Sequence, residues 1–65
     1  MNRIKFFREK IQMTQAELAQ KVGVSQKAVA KWEVGKSHPR ADRFVVLANT
    51  LHCSIDELFS EDSQV

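Results

Sequence analysis

Apolar residues recur along this chain every three or four positions, which is the spacing of one helical face. They do not alternate with polar residues over any stretch long enough for a strand. The pattern therefore predicts five helices and no sheet, an all-α fold. The apolar residues that define the five helices are, in order, Ile4, Phe7 and Ile11; Leu18, Ala19 and Val22; Val29 and Trp32; Phe44, Leu47, Ala48 and Leu51; and Ile55, Leu58 and Phe59.

Capping residues mark the ends of these helices. Two T/S-x-x-E capping boxes, Thr14 with Glu17 and Ser54 with Glu57, open the second and fifth helices. Ser25 is placed to cap the third helix. The other end signals are Gly23, Gly35 and Pro39. Together they predict helices over about residues 2–12, 14–22, 26–34, 40–51 and 54–59.

The length of 65 residues fits a single domain. A chain of this size buries only about 60% of the surface that its unfolded form exposes, so self-association is a common source of further stability. We expect the domain to cover residues 1–59. Residues 60–65 form a polar tail, which we expect to be frayed.

Cys53 is the only cysteine, so no disulfide can form within one chain. A single thiol and the absence of a signal peptide predict a cytoplasmic protein. The longest uninterrupted apolar run, residues 44–48, is far too short to cross a bilayer, and no membrane partner is expected. His52 and Cys53 are adjacent, and the side chains of adjacent residues seldom bind one ion. We therefore expect no metal site and no cofactor. Cys53 is interpreted as a small buried apolar residue.

Charge is distributed unevenly along the chain. Residues 1–40 carry nine Lys and Arg against three Glu, a balance of +6. Residues 41–65 carry one Arg against five Asp and Glu, a balance of −4. This asymmetry suggests one surface that faces a polyanion and another that faces away from it. Uneven charge also arises by chance in small domains and does not decide the function by itself.

The third helix has a cationic face. With Val29 directed to the core, Lys27 and Lys31 point nearly the opposite way, with no carboxylate between them. Gln, Lys and Ala are residue types that contact base edges: Gln bonds adenine, Lys bonds guanine and Ala touches the thymine methyl. Gln15 begins the second helix and is suited to a phosphate, as are Lys36, Ser37 and Arg40 in the loop that follows the third helix.

The motif Thr14-Gln-x-x-Leu-Ala-x-x-x-Gly-Val-Ser25, followed by Val29, Trp32-Glu33 and Gly35, resembles the Cro/repressor helix-turn-helix family of phage and bacterial regulators. The resemblance spans about residues 3–59. It implies a compact five-helix domain of the lambda-repressor-like type, with the third helix in the major groove. It also implies that Gln15 binds a phosphate, often while supporting the first residue of that helix. The base-reading positions of the family fall on Gln26, Lys27 and Lys31, with Ser25, Ala28 and Ala30 as lesser neighbours.

The resemblance further implies an ion pair between Arg8 and Glu33 and a last helix that contributes to dimerisation. Gln12 departs from the family pattern because it replaces the glycine that often ends the first helix. The candidate dimer interface consists of Phe6, Val46, Ile55, Leu58 and Phe59. Phe6 is equally open to interpretation as an isolated exposed side chain.

We therefore expect a sequence-specific regulator of transcription that binds double-stranded DNA, a repressor that acts as a homodimer on a near-palindromic operator. No constellation of residues indicates an enzyme: a strained nucleophile beside a base and a phosphate-binding glycine loop are both lacking. The alternative is a protein-interaction module, such as an antitoxin, that grips another protein through Phe6, Val46 and Phe59. A regulatory protein partner is compatible with both interpretations.

Overall fold

The computed structural model describes residues 3–59, and all regular secondary structure among them is helical. The five helices are α1 (Ile4–Lys10), α2 (Gln15–Val22), α3 (Gln26–Glu33), α4 (Ala41–Thr50) and α5 (Ile55–Phe59). The prediction of an all-α fold with five helices is confirmed. The start of the first predicted helix, residue 2, and the predicted polar tail, residues 60–65, lie outside the described residues.

Side chains cap the helices at the predicted positions. The Thr14 hydroxyl accepts the Glu17 backbone N–H at 3.0 Å, and the Glu17 carboxylate accepts the Thr14 N–H at 2.8 Å. Ser54 and Glu57 form the same reciprocal pair. Because the backbone N–H bonds the ionised carboxylate in each box, the pKa values of Glu17 and Glu57 are lowered. The Ser25 hydroxyl accepts the Ala28 N–H and caps α3.

The first helix is shorter than predicted, and Ile11 does not belong to its apolar stripe. Helix α1 ends at Lys10, and Ile11 is its C-terminal cap, with 36% of its surface exposed. Gln12 follows in a left-handed conformation with φ of 58°, which reverses the chain before α2. The reversal takes Ile11 out of the helix, so the helix predicted from the apolar periodicity was too long. The fourth helix likewise begins one residue later than predicted, with Arg40 as its cap.

The core draws on all five helices. Its members are Ile4, Phe7, Leu18, Ala19, Val22, Val29, Trp32, Phe44, Leu47, Ala48, Leu51 and Leu58. Each fully buried large side chain contributes about 1.5–3 kcal/mol relative to an exposed one. The Arg3 backbone N–H donates to the Leu58 carbonyl at 2.9 Å and so joins the start of α1 to α5. Packing against α2 leaves the outer face of α3 free of core contacts, which positions the candidate site.

Candidate nucleic-acid interface

Helix α3 presents its charged face to solvent. Val29 is fully buried and Trp32 is 6% exposed, so both point into the core. Lys27 and Lys31 are exposed, and among the described residues neither forms an ion pair. Like charges four residues apart on a helix repel by a few tenths of a kcal/mol. The outer face of α3 is therefore a cationic surface without an internal counter-ion in the described part of the chain.

The residues at the start of α3 divide between solvent and the scaffold. Gln26 is exposed beside Lys27 at the N-terminal end, where the helix dipole is positive. Ser25 is also exposed, but its hydroxyl is used to cap the helix through the Ala28 N–H. Ala28 is partly buried against the core, and Ala30 is half-buried. Gln26 and Lys27 are thus the most accessible polar side chains of this turn.

Gln15 is held by the end of α3 rather than by its beginning. Its side-chain Nε2 donates to Glu33 Oε1 at 2.9 Å, and Gln15 itself is half-buried at the start of α2. The resemblance implies that this residue often supports the first residue of the recognition helix, whereas here its partner is the last one. Gln15 therefore links the two helices of the helix-turn-helix at the N-terminus of α2.

Arg8 and Glu33 form a buried ion pair between α1 and α3. Arg8 Nε donates to Glu33 Oε2 at 2.6 Å, and Nη2 donates to Oε1 at 3.1 Å. The Arg8 side chain is 10% exposed and the Glu33 side chain 3% exposed. The hydrogen bond with Glu33 raises the pKa of Arg8 against the opposing effect of burial. Arg8 Nη1 also donates to the Met13 carbonyl at 2.7 Å, which satisfies a second part of the guanidinium.

A single carboxylate thus connects three helices. Glu33, in α3, accepts hydrogen bonds from Arg8 in α1 and from Gln15 in α2. The sequence pattern identified Arg8 and Glu33 but missed the part that Gln15 plays. The only signal in the sequence was an amide residue, Gln15, just inside the α2 cap and an acid, Glu33, at the end of α3. Because α2 and α3 share this anchor, their relative position is fixed by more than apolar packing.

The loop after α3 begins with a turn that closes on the last turn of that helix. Gly35 has a left-handed φ of 80°, and the Lys36 backbone N–H donates to the Lys31 carbonyl at 2.9 Å. Lys36 and Arg40 are exposed, whereas Ser37 is half-buried. The structure therefore brings Lys36 next to the C-terminal turn of α3, and places Arg40 at the start of α4.

The candidate dimer residues separate into exposed and buried side chains. Phe6, Ile55 and Phe59 are 50%, 41% and 45% exposed. Val46 is partly buried and packs against the core. Leu58 is fully buried within the domain, so its inclusion in the candidate interface was wrong. Helix α5 is oriented so that Leu58 packs inward, whereas Ile55 and Phe59 face outward.

Two of these exposed side chains, Phe59 and Phe6, make aromatic contacts within the domain. Phe59 stacks on Phe44 with ring centroids 4.1 Å apart, so part of its surface supports the core. Phe6 meets Phe7 edge to face at 5.1 Å, and the Arg3 guanidinium lies 4.6 Å above the Phe6 ring. Ile55 has no such role among the described contacts and is the plainest exposed apolar side chain of α5.

Within residues 3–59, the remaining polar features described below do not form a second chemical site. A shallow cleft of about 440 Å³ is lined by Met13, Lys21, Asn49, Thr50 and His52. Cys53 is half-buried against the core, and burial raises the pKa of its thiol. Within residues 3–59, no three His, Cys, Asp or Glu side chains are grouped to hold a metal ion. No helix in that range is both long and apolar enough to cross a membrane.

Comparison with known proteins places the fold in a family. The helix-turn-helix family matches this chain over residues 4–58. A helix-turn-helix-type transcriptional regulator of Archaeoglobus fulgidus is 37% identical over 62 residues, which are 95% of this chain and 87% of that protein. Repressor protein C2 of Salmonella phage P22 is 37% identical over 60 residues, or 92% of this chain. The chain spans only 28% of the length of that repressor.

A solved structure shows the same arrangement of helices. The crystal structure of the P22 c2 repressor in complex with a synthetic operator superposes with a TM-score of 0.86 at 37% identity. The match covers 92% of this chain and 91% of the solved one. The resemblance to Cro/repressor regulators that the sequence indicated is confirmed. The chain belongs to the XRE-type helix-turn-helix family.

Proposed function

We propose that this protein is a sequence-specific transcriptional regulator that binds double-stranded DNA and acts as a repressor. The observation that carries the proposal is the outer face of α3, where Lys27 and Lys31 project from the helix-turn-helix with no internal counter-ion among the described residues. A polyanion supplies that missing charge. One relative of known structure with the same fold is a repressor in complex with a synthetic operator.

The proposed base contacts come from the exposed side chains of α3. Gln26 is suited to adenine N6 and N7, and Lys27 and Lys31 to guanine N7 and O6. All three side chains are exposed and lie on the same helix. Ser25, Ala28 and Ala30 are lesser neighbours, because the first caps the helix and the other two are partly buried.

The proposed phosphate contacts flank this face. Gln15 lies at the N-terminus of α2, and its side chain is already oriented by Glu33. Lys36 and Arg40 are exposed in the loop beyond α3, with the half-buried Ser37 between them. Contacts of this kind fix the position of the protein on the duplex without reading sequence.

The proposal includes binding as a homodimer to a near-palindromic operator. Two recognition helices related by a two-fold axis would enter major grooves about 34 Å apart. Ile55 and Phe59 support this arrangement because they expose apolar surface one turn apart on α5. Phe6 and Val46 are further candidates for the interface, although the Val46 side chain is partly buried against the core.

A protein-interaction role, such as that of an antitoxin, is the second candidate. It is favoured by one observation: Phe6 is 50% exposed and carries the Arg3 guanidinium over its ring. Phe6→Ala would abolish capture of a protein partner under this alternative. Under the proposed function the same change would leave the affinity of the protomer for each half-operator unaltered.

Selection of bound duplexes from a random pool tests the proposed function. We expect one enriched sequence with an inverted repeat, bound at least about 10³-fold more tightly than a scrambled duplex at the same salt concentration. Equal affinity for the selected and scrambled duplexes would refute sequence-specific binding. An enriched sequence without an inverted repeat would refute the symmetric dimer while leaving DNA recognition intact.

A further inference from the structure

An apolar side chain continues the charged face of α3. Val34 is 64% exposed, more than any other large apolar residue of the described chain. Its backbone N–H donates to the Ala30 carbonyl at 3.3 Å, so the residue still follows the helix that ends at Glu33. At about 100° per residue, Lys31 lies about 40° and Val34 about 20° from Lys27 around the axis. The three side chains therefore share one face.

The distance along the axis suits a site in the major groove. Seven residues separate Lys27 from Val34, which corresponds to about 10 Å of helix. The major groove is about 12 Å wide and accepts an α-helix. With α3 in the groove, Val34 is thus placed to reach a different base pair from the one proposed for Lys27.

The chemistry of Val34 restricts what it recognises. An isopropyl group cannot bond a phosphate or the polar edge of a base. The C5-methyl group of thymine is the apolar feature of the major groove, and it distinguishes thymine from the other bases there. We propose that Val34 is a specificity-determining residue that packs on a thymine methyl group. This inference rests on the proposed function, since it requires α3 to lie in the groove.

Removal of single methyl groups from the DNA tests the contact. Each thymine of the selected operator is replaced in turn by deoxyuridine, and the dissociation constant of the full 65-residue chain is measured. Wild-type protein should lose about fourfold in affinity at one thymine of each half-site, the effect of one buried methyl group. Val34→Ala should bind the unmodified operator more weakly by a similar factor and be insensitive to deoxyuridine at that position.

Two further variants control for shape and for surface hydrophobicity. Val34→Thr keeps the β-branched shape but replaces a methyl group with a hydroxyl, and should reduce the sensitivity to deoxyuridine. Val45→Ala removes a comparably exposed apolar side chain from α4 and should retain the full fourfold effect.

The outcomes separate this inference from the function on which it rests. Equal sensitivity to deoxyuridine in wild type and in Val34→Ala would overturn the assignment of Val34, as would selected operators that contain no thymine in each half-site. Either result is compatible with sequence-specific binding. Failure of the pool to yield any preferred sequence would instead refute the proposed function itself.

Discussion

The side chains of α3 belong either to the buried scaffold or to the exposed face of the helix. Val29 and Trp32 are buried, whereas Lys27 and Lys31 contact solvent from the same helix. Substitutions on the outer face of α3 should therefore alter binding to DNA without unfolding the domain. Substitutions of the buried polar residues should instead lower the free energy of unfolding. Lys31 and Glu33 test the two sides of this division.

Lys31→Ala should weaken binding to the preferred operator by about 1–3 kcal/mol and relax base choice at one position. The reason is that, under the proposed function, the variant loses hydrogen bonds to one guanine and nothing from the core. Dissociation constants for the operator and for its single-base variants provide the measurement. Lys21→Ala is the matched control, because Lys21 is an exposed lysine near the end of α2. An equal loss on all duplexes would assign Lys31 to a phosphate.

Glu33→Gln should reduce the free energy of unfolding by about 3–5 kcal/mol, because it leaves the buried Arg8 guanidinium without its counter-ion. Chemical denaturation followed by circular dichroism measures the change. Replacing both partners, as Arg8→Met with Glu33→Leu, should recover much of the loss, since two uncharged side chains suffer no desolvation of charge. A double variant as unstable as Glu33→Gln would show that geometry, not charge balance, dominates.

At the scale of elements, the sequence determined the helices more completely than the junctions between them. The caps at Thr14, Ser25 and Ser54 depend on local spacing and were predicted. The early end of α1 was not, because apolar periodicity contains no information about the reversal at Gln12. The bond from Gln15 to Glu33 joins residues 18 positions apart and depends on how the helices pack, which local patterns do not encode.

Gln12→Gly and His52→Gly should each stabilise the domain by about 0.5–1 kcal/mol. Both residues have φ of 58°, a conformation that costs a residue with a Cβ atom about 1–2 kcal/mol, and the added chain entropy of glycine offsets part of the gain. Thermal unfolding should show an increase in Tm of a few degrees for each. Gln20→Gly, inside α2, should have the opposite effect, and a fall in Tm for Gln12→Gly would contradict the conformational explanation.

The capping boxes make stability depend on acidic pH. Because folding lowers the pKa of Glu17 and Glu57 from the ordinary value of 4.5, their contribution is complete above that value and is lost as the pH falls below it. Glu17→Gln with Glu57→Gln keeps the box spacing and removes the titration. Its Tm should change less between pH 5 and about 3 than that of the wild type.

At the scale of the whole molecule, the distribution of charge and of exposed apolar surface bears on the proposed binding to DNA as a dimer. The excess of cations in residues 1–40 includes the exposed lysines of α3, and α5 carries Asp56 and Glu57 beside its exposed apolar residues. In the proposed dimer, self-association through α5 would direct these negative charges away from the negatively charged DNA. The sequence predicted the fold, and two measurements test the proposed assembly.

The affinity for the operator should fall with salt by about 0.9 log units per log unit of salt for each phosphate that the protein neutralises. Lys36→Ala should reduce this slope by about one unit, because one fewer phosphate is neutralised, and weaken binding about equally on all sequences. Titrations between about 50 and 200 mM salt measure the slope for both proteins. A slope unchanged in Lys36→Ala would remove this residue from the phosphate contacts.

Sedimentation should show association of the protein at micromolar concentration or on operator DNA. Ile55→Lys should shift the equilibrium to the monomer, because it introduces charge into apolar surface without disturbing the core. Val45→Lys changes a similarly exposed residue on α4 and should leave association unaltered. If both variants dissociate equally or neither does, the interface does not include α5.

The shared carboxylate of Glu33 has a consequence for how such a protein changes over evolutionary time. Because Arg8, Gln15 and Glu33 secure the placement of α3 from behind, the residues on its outer face are not needed to hold it in place. Mutations there encounter little selection from folding. The preferred operator is therefore free to diverge by substitution at a few exposed positions, so that duplicated copies can acquire separate targets while the scaffold is inherited intact.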